Sequence, residues 1–377
     1  MQFLVIELEP THYKIDLWNA FVESAGVDVM VVYSERKNWS PDGGHDYQQF
    51  PSARFQSVVL EGKGLAGALR SAFRVFGIAR SISPDLTYIA GYVHLQTILA
   101  IVYSVVSGRR FVVHADVFNN GRPLGRMAGL KLVLREGLRK LVFRFADAVL
   151  VCGRLGIETA VDAGCPLHKI RDFPYSVSLL RICGDRPESI PKACVEDMQA
   201  GRQVIYFSGR MIPRKGLPTL LEAMTRVETD ADWILWLEGA GPELQAFIRQ
   251  ADVLGLAERC RFLGFCQYDL HSWLVRSADI VVVPSFEDSW GIVVDEALQL
   301  GKAVVSTYAT GSAVDRISDG ENGYIVTAGN VAVLADRLGR LLGDCSLRER
   351  LGAAAALSPR NVRPEDNAMT LMEVMSK

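Results

Sequence analysis

Short apolar runs alternate with amphipathic stretches along this chain, and the alternation stops once and then restarts. Strands are predicted at 3–8, 27–33, 86–90, 111–114, 148–152 and 170–173, with a helix at 14–24 and further helical stretches between the later strands. The stretch 176–201 carries two prolines, several charges and no period. Beyond it strands are predicted at 204–207, 233–237, 261–263, 280–283, 303–306 and 324–326. Helices are predicted at 217–227, 243–254, 270–276 and 292–300, and the chain from 331 on is mostly helical. Continuous apolar strands separated by helices mean a parallel sheet covered on both faces. The expected fold is therefore α/β, with two Rossmann-like doubly wound domains facing across a cleft. Ligands in such sheets sit beyond the carboxyl ends of the strands.

The length of 377 residues agrees with two domains at about 150 residues each. The expected boundaries are an N-terminal domain at 1–178, a linker at 179–201, a C-terminal domain at 202–360, and a helix at 361–377 returning to the first domain. Apolar residues make up 49% and charged residues 22%, which excludes long disorder and a coiled coil. With 41 basic and 43 acidic residues the net charge is -2, so nothing global marks a nucleic-acid partner. Seven scattered cysteines without a Cys-x-x-Cys pair speak against a disulfide framework or structural zinc and fit a reducing cytoplasm. The first residues lack a basic leader, and the longest apolar run, 98–106, is well short of the ~18 residues a membrane span needs. The expectation is a cytoplasmic protein, peripheral at most to the inner face of the membrane.

Four segments carry candidate chemistry. In 207–217 a strand ends, Gly209 turns the chain, and Arg210 and Lys215 precede a helix. Basic side chains beside free helix amides suit a phosphate; a solvated basic turn is the alternative. In 284–297 another strand runs through Glu287, Asp288, Ser289, Trp290, Gly291 and Ile292 into a helix whose second turn holds Glu296. Helical side chains lean toward the N-terminus, so Glu296 can reach back over the loop. The alternative is a loop carboxylate capping the helix through Asp288 or Ser289. The turn Glu238-Gly239-Ala-Gly241-Pro has part of a dinucleotide fingerprint but lacks its last glycine, and an ordinary strand-to-helix turn explains it as well. His114 ends a strand, and His12 follows one; either position suits a site or a structural histidine.

Taken in order, Gly209-Arg210, Lys215-Gly216, the Gly-x-Gly-Pro turn, Phe262-Leu-Gly264, Ala278-Asp279, Pro284-Ser285, Trp290-Gly291, Glu296-Ala297, Gly301 and Asp319-Gly-Glu-Asn-Gly323 resemble glycosyltransferase family 4, the retaining enzymes of GT-B fold. Pro84-Asp85, Ala146-Asp147 and Gly164 extend the likeness more loosely into the first half. The resemblance implies sugar transfer from a nucleotide-diphosphate donor, UDP- or GDP-linked, to a glycan or lipid-linked acceptor in polysaccharide or envelope glycan synthesis. It implies no cofactor and no metal, the nucleotide sugar being a substrate. Arg210 and Lys215 would hold the diphosphate, Glu296 the ribose hydroxyls, Asp288 the donor sugar, and His114 would lie near sugar and acceptor. Gly209, Gly239, Glu287, Ser289, Trp290, Gly291 and Ile292 complete the implied donor site. The family's two glutamates stand eight apart; here Asp288 occupies the first place and Glu287 lies nine away. Its Gly-Gly loop after the first strand is replaced by Glu9-Pro-Thr-His-Tyr-Lys14. A non-catalytic sugar-nucleotide-binding protein and a nucleotide-sugar epimerase are the competing functions on such a fold. Asp230-Ala-Asp232 looks like a metal-binding motif but precedes a strand, at the end of the sheet away from the site, and reads as a solvated turn.

Between Arg122 and Arg144, Glu136 is the sole acid among seven basic residues. Lys131, Arg135 and Arg139 recur every four residues and so share a helical face, with Leu130, Leu134, Leu138, Leu141 and Phe145 over much of the rest. An ordinary surface helix packing its leucines on the sheet is the commoner arrangement. A helix resting on an anionic membrane is the other.

Overall fold

The apolar runs become strands because alternate side chains leave a strand on opposite faces, and here both faces are buried. Leu4 and Ile6 enter one core and Phe3 and Val5 the other; Ile205 and Phe207 divide from Val204 and Tyr206 in the same way. The computed structural model describes residues 1–33, 53–60, 64–118, 128–184, 186–358 and 360–376.

Two compact units emerge. Among the described residues, one joins those up to Ser176 with 362–376; the other is those of 177–361. The first unit runs β1 (Gln2–Glu7), α1 (His12–Ala25), β2 (Asp28–Tyr33), β3 (Gln56–Val59), α2 (Gly64–Ile82), β4 (Leu86–Ala90), α3 (Leu95–Val106), β5 (Phe111–His114), α4 (Ala128–Phe145), β6 (Ala148–Val151), α5 (Gly153–Asp162) and β7 (Ile170–Asp172). The second holds α6 (Leu179–Ile182), α7 (Lys192–Gln199), β8 (Gln203–Ser208), α8 (Leu217–Met224), β9 (Trp233–Glu238), α9 (Leu244–Val253), β10 (Cys260–Gly264), α10 (Tyr268–Ser277), β11 (Ile280–Val283), α11 (Ile292–Gln299), β12 (Ala303–Thr307), α12 (Gly311–Arg316), β13 (Tyr324–Val326), α13 (Val331–Gly343) and α14 (Cys345–Ala356). The chain closes with α15 (Pro364–Met375) in the first unit.

Every strand pairing is parallel. The sheet orders are β3-β2-β1-β4-β5-β6-β7 and β10-β9-β8-β11-β12-β13. Each order reverses direction once, between β1 and β4 and between β8 and β11. A crevice for ligands opens beyond the strand ends at such a reversal. Helix α15 packs on α1, burying Ala368, Leu371 and Val374 with Trp18 and Phe21. Each large side chain so buried contributes about 1.5–3 kcal/mol. Arg110 donates to the carbonyls of Val374 (2.7 Å) and Met375 (3.0 Å), satisfying the end of α15.

The structure departs from the sequence reading in three places. The stretch 179–201 is no linker: it forms α6 and α7 within the second unit. Helix α7 is fastened through buried Asp197, which accepts from the Trp236 indole (3.0 Å) and pairs with Arg202 (2.8 Å) and Arg261 (3.1 Å). Polar anchoring of this kind leaves no apolar period to detect. Strand β3 and helix α12 also escaped the reading, the first because its QSVV sequence is half polar and half exposed. On α4 the basic face is turned differently. Arg135 and Arg139 are half-buried, and Arg139 pairs with Glu136. The exposed face is Val133, Gly137, Lys140 and Arg144, beside Leu134 and Phe145. Leu138 and Leu141 pack on the core as expected. Arg122 and Arg126 and the side chains of Leu130 and Lys131 lie outside what is described.

Candidate functional site

At the β8/β11 reversal three loops are stacked by glycines that leave no room for a side chain. Gly216 sits at φ +78°, and an added Cβ would stand 1.9 Å from the Pro284 carbonyl oxygen. Gly239, at φ +132°, would meet the Gly209 carbonyl oxygen at the same distance. The glycine turn after β9 is thus a packing element against Gly209, as an ordinary turn would be. The loops after β8 and β11 are also joined by backbone: Phe286 N–H donates to Arg214 O (2.8 Å), and the Arg214 guanidinium donates to Glu287 O (2.9 Å).

This places Lys215 against Asp288, Nζ to Oδ2 at 2.5 Å, with 17% and 13% of the two side chains exposed. Arg210 is exposed at the end of the same loop. Lys215 therefore presents its charge at the strand ends with Asp288 as its partner. Glu287 is solvent-exposed and lends the loop only its carbonyl, so Asp288 faces the site's cation.

The helix-capping alternative does not hold. Helix α11 has Gly291 as N-cap, at φ +82°, with no side-chain cap bond, so neither Asp288 nor Ser289 serves there. Ser289, Gly291 and Ile292 are half-buried around this N-terminus. Trp290 is 1% exposed, as buried as Glu296, and its ring lies in the interior. Its indole donates to Asp295 Oδ2 (2.5 Å), and Arg316 reaches Asp295 Oδ1 (3.1 Å) while lying over the indole ring. Burial pushes the Asp295 carboxyl up to about 6, against the opposing pull of Arg316. Trp290 positions the loop from beneath, and the ligand surface is left to its neighbours.

Glu296 is 1% exposed and held by groups the sequence reading did not single out. Its Oε2 is 2.8 Å from His271 Nε2, and its Oε1 accepts from Tyr268 (3.0 Å). The other ring nitrogen of His271 is 2.8 Å from Glu238 Oε2, which also accepts from the Tyr206 hydroxyl. The available signal was position: Tyr268 and His271 stand three apart on α10 and so share a face, and Tyr206 and Glu238 interrupt apolar strands. Asp230-x-Asp232 lies at the far end of β9, where Asp232 pairs with Arg202 (3.3 Å) and Arg259 (3.7 Å), as the solvated turn predicts.

In the first unit, the β1/β4 reversal carries a cavity of about 250 Å³ lined by Glu9, Tyr13, Lys14, His94, Asp116 and Tyr175 among others. His114 lies beneath it, 4% exposed. Its Nδ1 is 2.5 Å from Tyr88 Oη and 3.3 Å from Lys14 Nζ, and its Nε2 is 3.4 Å from Cys152 Sγ. Lys14 is buried against Glu7 at 3.0 Å. Burial, with Lys14 adding to it, drives the His114 pKa well below its ordinary value, so the ring is neutral. Lys14 stands where the segment 9–14 replaces a Gly-Gly loop. Among the described residues His114, Asp116 and Cys152 could direct donor atoms at one metal ion, all within 4.8 Å. The Lys14 ammonium already supplies a cation on the other side of that ring.

Residues 195–357 match the family model of glycosyl transferases group 1. Phosphatidyl-myo-inositol mannosyltransferase of Mycobacterium leprae is 38% identical over 163 residues, 42% of this chain and 42% of that protein. A lipopolysaccharide core biosynthesis glycosyltransferase of Rhizobium meliloti is 36% identical over 155 residues, 41% of this chain and 44% of that one. The matched stretch thus spans less than half the length of these curated relatives. Among solved structures, Anabaena HepE in complex with UDP-glucose covers 100% of this chain and 99% of its own at TM-score 0.78 and 19% identity. WaaG, a glycosyltransferase involved in lipopolysaccharide biosynthesis, covers 98% of each chain at TM-score 0.68 and 16% identity. Residues 195–357 of this chain are thus similar to the glycosyl transferases group 1 family, and the chain carries them on a GT-B fold.

Proposed function

We propose that this chain is a retaining, metal-independent glycosyltransferase that moves a sugar from a UDP- or GDP-linked donor to a glycan or lipid-linked acceptor. The observation that carries the proposal is the Lys215–Asp288 pair at the strand ends of a group 1 domain, with Arg210 exposed on the same loop. In the reaction, the bond from the anomeric carbon to the β-phosphate oxygen breaks, an acceptor oxygen takes its place, and the acceptor proton leaves with the diphosphate. The diphosphate gains charge as it departs. Arg210 can fork onto its oxygens, and Lys215, drawn from Asp288, adds a point charge. Asp288 then turns to the donor sugar and Glu296 to the ribose. The cavity at 9–14 takes the acceptor in the first unit, near His114. The names of the relatives, which act on phosphatidyl-myo-inositol and in lipopolysaccharide core synthesis, support an envelope glycan acceptor.

Among the described residues no helix is long and apolar enough to cross a membrane. In this reading a lipid-linked acceptor is met at the inner face of the membrane, and exposed Val133, Leu134, Lys140, Arg144 and Phe145 of α4 offer a contact for it. The decisive experiment is a nucleoside-diphosphate release assay with UDP- and GDP-sugars, acceptor panels and EDTA. Release that depends on acceptor and survives EDTA, with the donor's anomeric configuration kept in the product, is expected. Binding without release would show a sugar-nucleotide-binding protein, sugar interconversion without release an epimerase, and metal-reversible loss in EDTA a metal-dependent enzyme.

A further inference from the structure

Two buried carboxylates and one buried imidazole lie in a row under the donor side of the second unit. Glu238 ends β9, His271 faces inward from α10, and Glu296 stands in the second turn of α11; they are 6%, 8% and 1% exposed. Each ring nitrogen is 2.8 Å from a carboxylate oxygen. An ionised carboxylate can only accept, so a ring bonded to two of them must donate from both nitrogens. Tyr268 holds the second oxygen of Glu296 at 3.0 Å, which fixes that carboxylate at both ends while each oxygen keeps further lone-pair capacity.

We propose that His271 is a positioning residue for the donor: by donating to Glu238 and Glu296 together, it holds the Glu296 carboxylate oriented to receive the ribose hydroxyls. This rests on the reading of Glu296 as the ribose acceptor. Without the ring, Glu238 Oε2 and Glu296 Oε2 each lose a donor at 2.8 Å inside the protein, and the Glu296 carboxylate keeps only its Tyr268 partner at 3.0 Å to set its direction. The titratable groups around the ring are Tyr206 from β8, Glu238 from β9, Cys266 from the loop after β10, Tyr268 at the start of α10, and Glu296 with adjacent Asp295 from α11. Burial alone opposes a charge on His271, and the two carboxylates outweigh it, raising its pKa well above the ordinary histidine value. The ring therefore stays charged across the neutral range, and donor affinity should be flat there.

The test is calorimetric titration of the full chain with UDP and with GDP from pH 6 to 9, in the wild type, Glu296→Gln, His271→Gln and His271→Gln with Glu238→Leu. Glutamine keeps a donor group and removes the charge. The His271→Gln variant, whose single amide donor group must serve both carboxylates, should bind about tenfold more weakly. Adding Glu238→Leu should restore binding to within about threefold, because the amide then donates to Glu296 alone; a ring needed only for packing would give neither effect. In the wild type, ring nitrogen NMR shifts at pH 7.5 should show both nitrogens of His271 protonated, a reading that depends on no variant's folding. A singly protonated ring, or unchanged affinity in His271→Gln while Glu296→Gln is weakened, overturns the proposal alone. Unchanged affinity in Glu296→Gln, or no binding of either nucleotide to the wild type, overturns the ribose reading and this one with it.

Discussion

His114 and His271 are both buried histidines near the strand ends of a doubly wound parallel sheet, yet their surroundings leave the first neutral and the second charged. His114 has an ammonium at 3.3 Å and a thiol at 3.4 Å, and its pKa falls. His271 has carboxylates at 2.8 Å on both sides, and its pKa rises. Desolvation disfavours the charged form at both, so the sign of the neighbour decides. The same topology can thus serve a neutral site in one unit and a charged one in the other. The loops differ in the same sense. In the first unit the cation Lys14 is buried under the cavity and tied to Glu7; in the second, Arg210 is exposed and Lys215 partly so. A partly exposed cation is available to a ligand, whereas a buried one mainly holds its neighbours.

Exchanging the two lysines should bring out that contrast most strongly. Lys215→Ala is expected to lower turnover by about 10²–10³, the scale for removing one preorganised charge stabiliser, with the unfolding midpoint little changed. Lys14→Met should instead cost about 3–5 kcal/mol of stability, as for breaking a buried ion pair, because Glu7 is left without its partner. Turnover and denaturant unfolding measured on both variants check this; a Lys215→Ala turnover within threefold of wild type would remove it from the leaving-group role. Next in size, Glu296→Gln should weaken nucleoside-diphosphate binding by about 10- to 100-fold, equivalent to the ~1.5–3 kcal/mol of a charge-assisted hydrogen bond.

The two histidines should also leave opposite marks on stability against pH. A folded-state pKa raised above the unfolded value of about 6.5 contributes stability that is complete below 6.5 and is lost as pH climbs through the folded value. His271 therefore weakens the alkaline side. His114, with a lowered pKa, contributes stability that is complete above about 6.5 and is lost as pH falls from there toward its folded value. Unfolding midpoints taken from pH 5 to 9 should show the acid-side loss reduced in His114→Asn and the alkaline-side loss reduced in His271→Gln. The same slope in both variants would erase the distinction.

The smallest effect concerns α4. Lys140→Glu with Arg144→Glu should lower sedimentation with anionic liposomes at low salt, each basic residue near such a surface being worth about 1 kcal/mol. Arg135→Glu with Arg139→Glu should matter less, since those side chains are turned partly inward. Equal losses in the two pairs, or no liposome binding by the wild type at low salt, would discard the exposed face as a membrane contact.

Fold class was legible from the sequence alone, because an apolar run flanked by helices has few ways to bury both faces, and a parallel sheet is the commonest. The places of Gly209, Arg210, Lys215, Asp288 and Glu296 in the fold were legible too, since each stands at a fixed offset from a strand end or helix start. The sequence did not show that Trp290 turns inward to Asp295, that Arg135 and Arg139 turn partly inward, or that 179–201 folds onto the second sheet through Asp197. Nor did it reveal the partners of the two histidines, which come from 100 residues away for Lys14 and 33 and 25 for Glu238 and Glu296. Local pattern fixes which elements form and which residues lie at their ends. Burial and neighbouring charge fix what those residues do, and both are set only when distant strands pack side by side, so the charge on each histidine is decided by the tertiary structure.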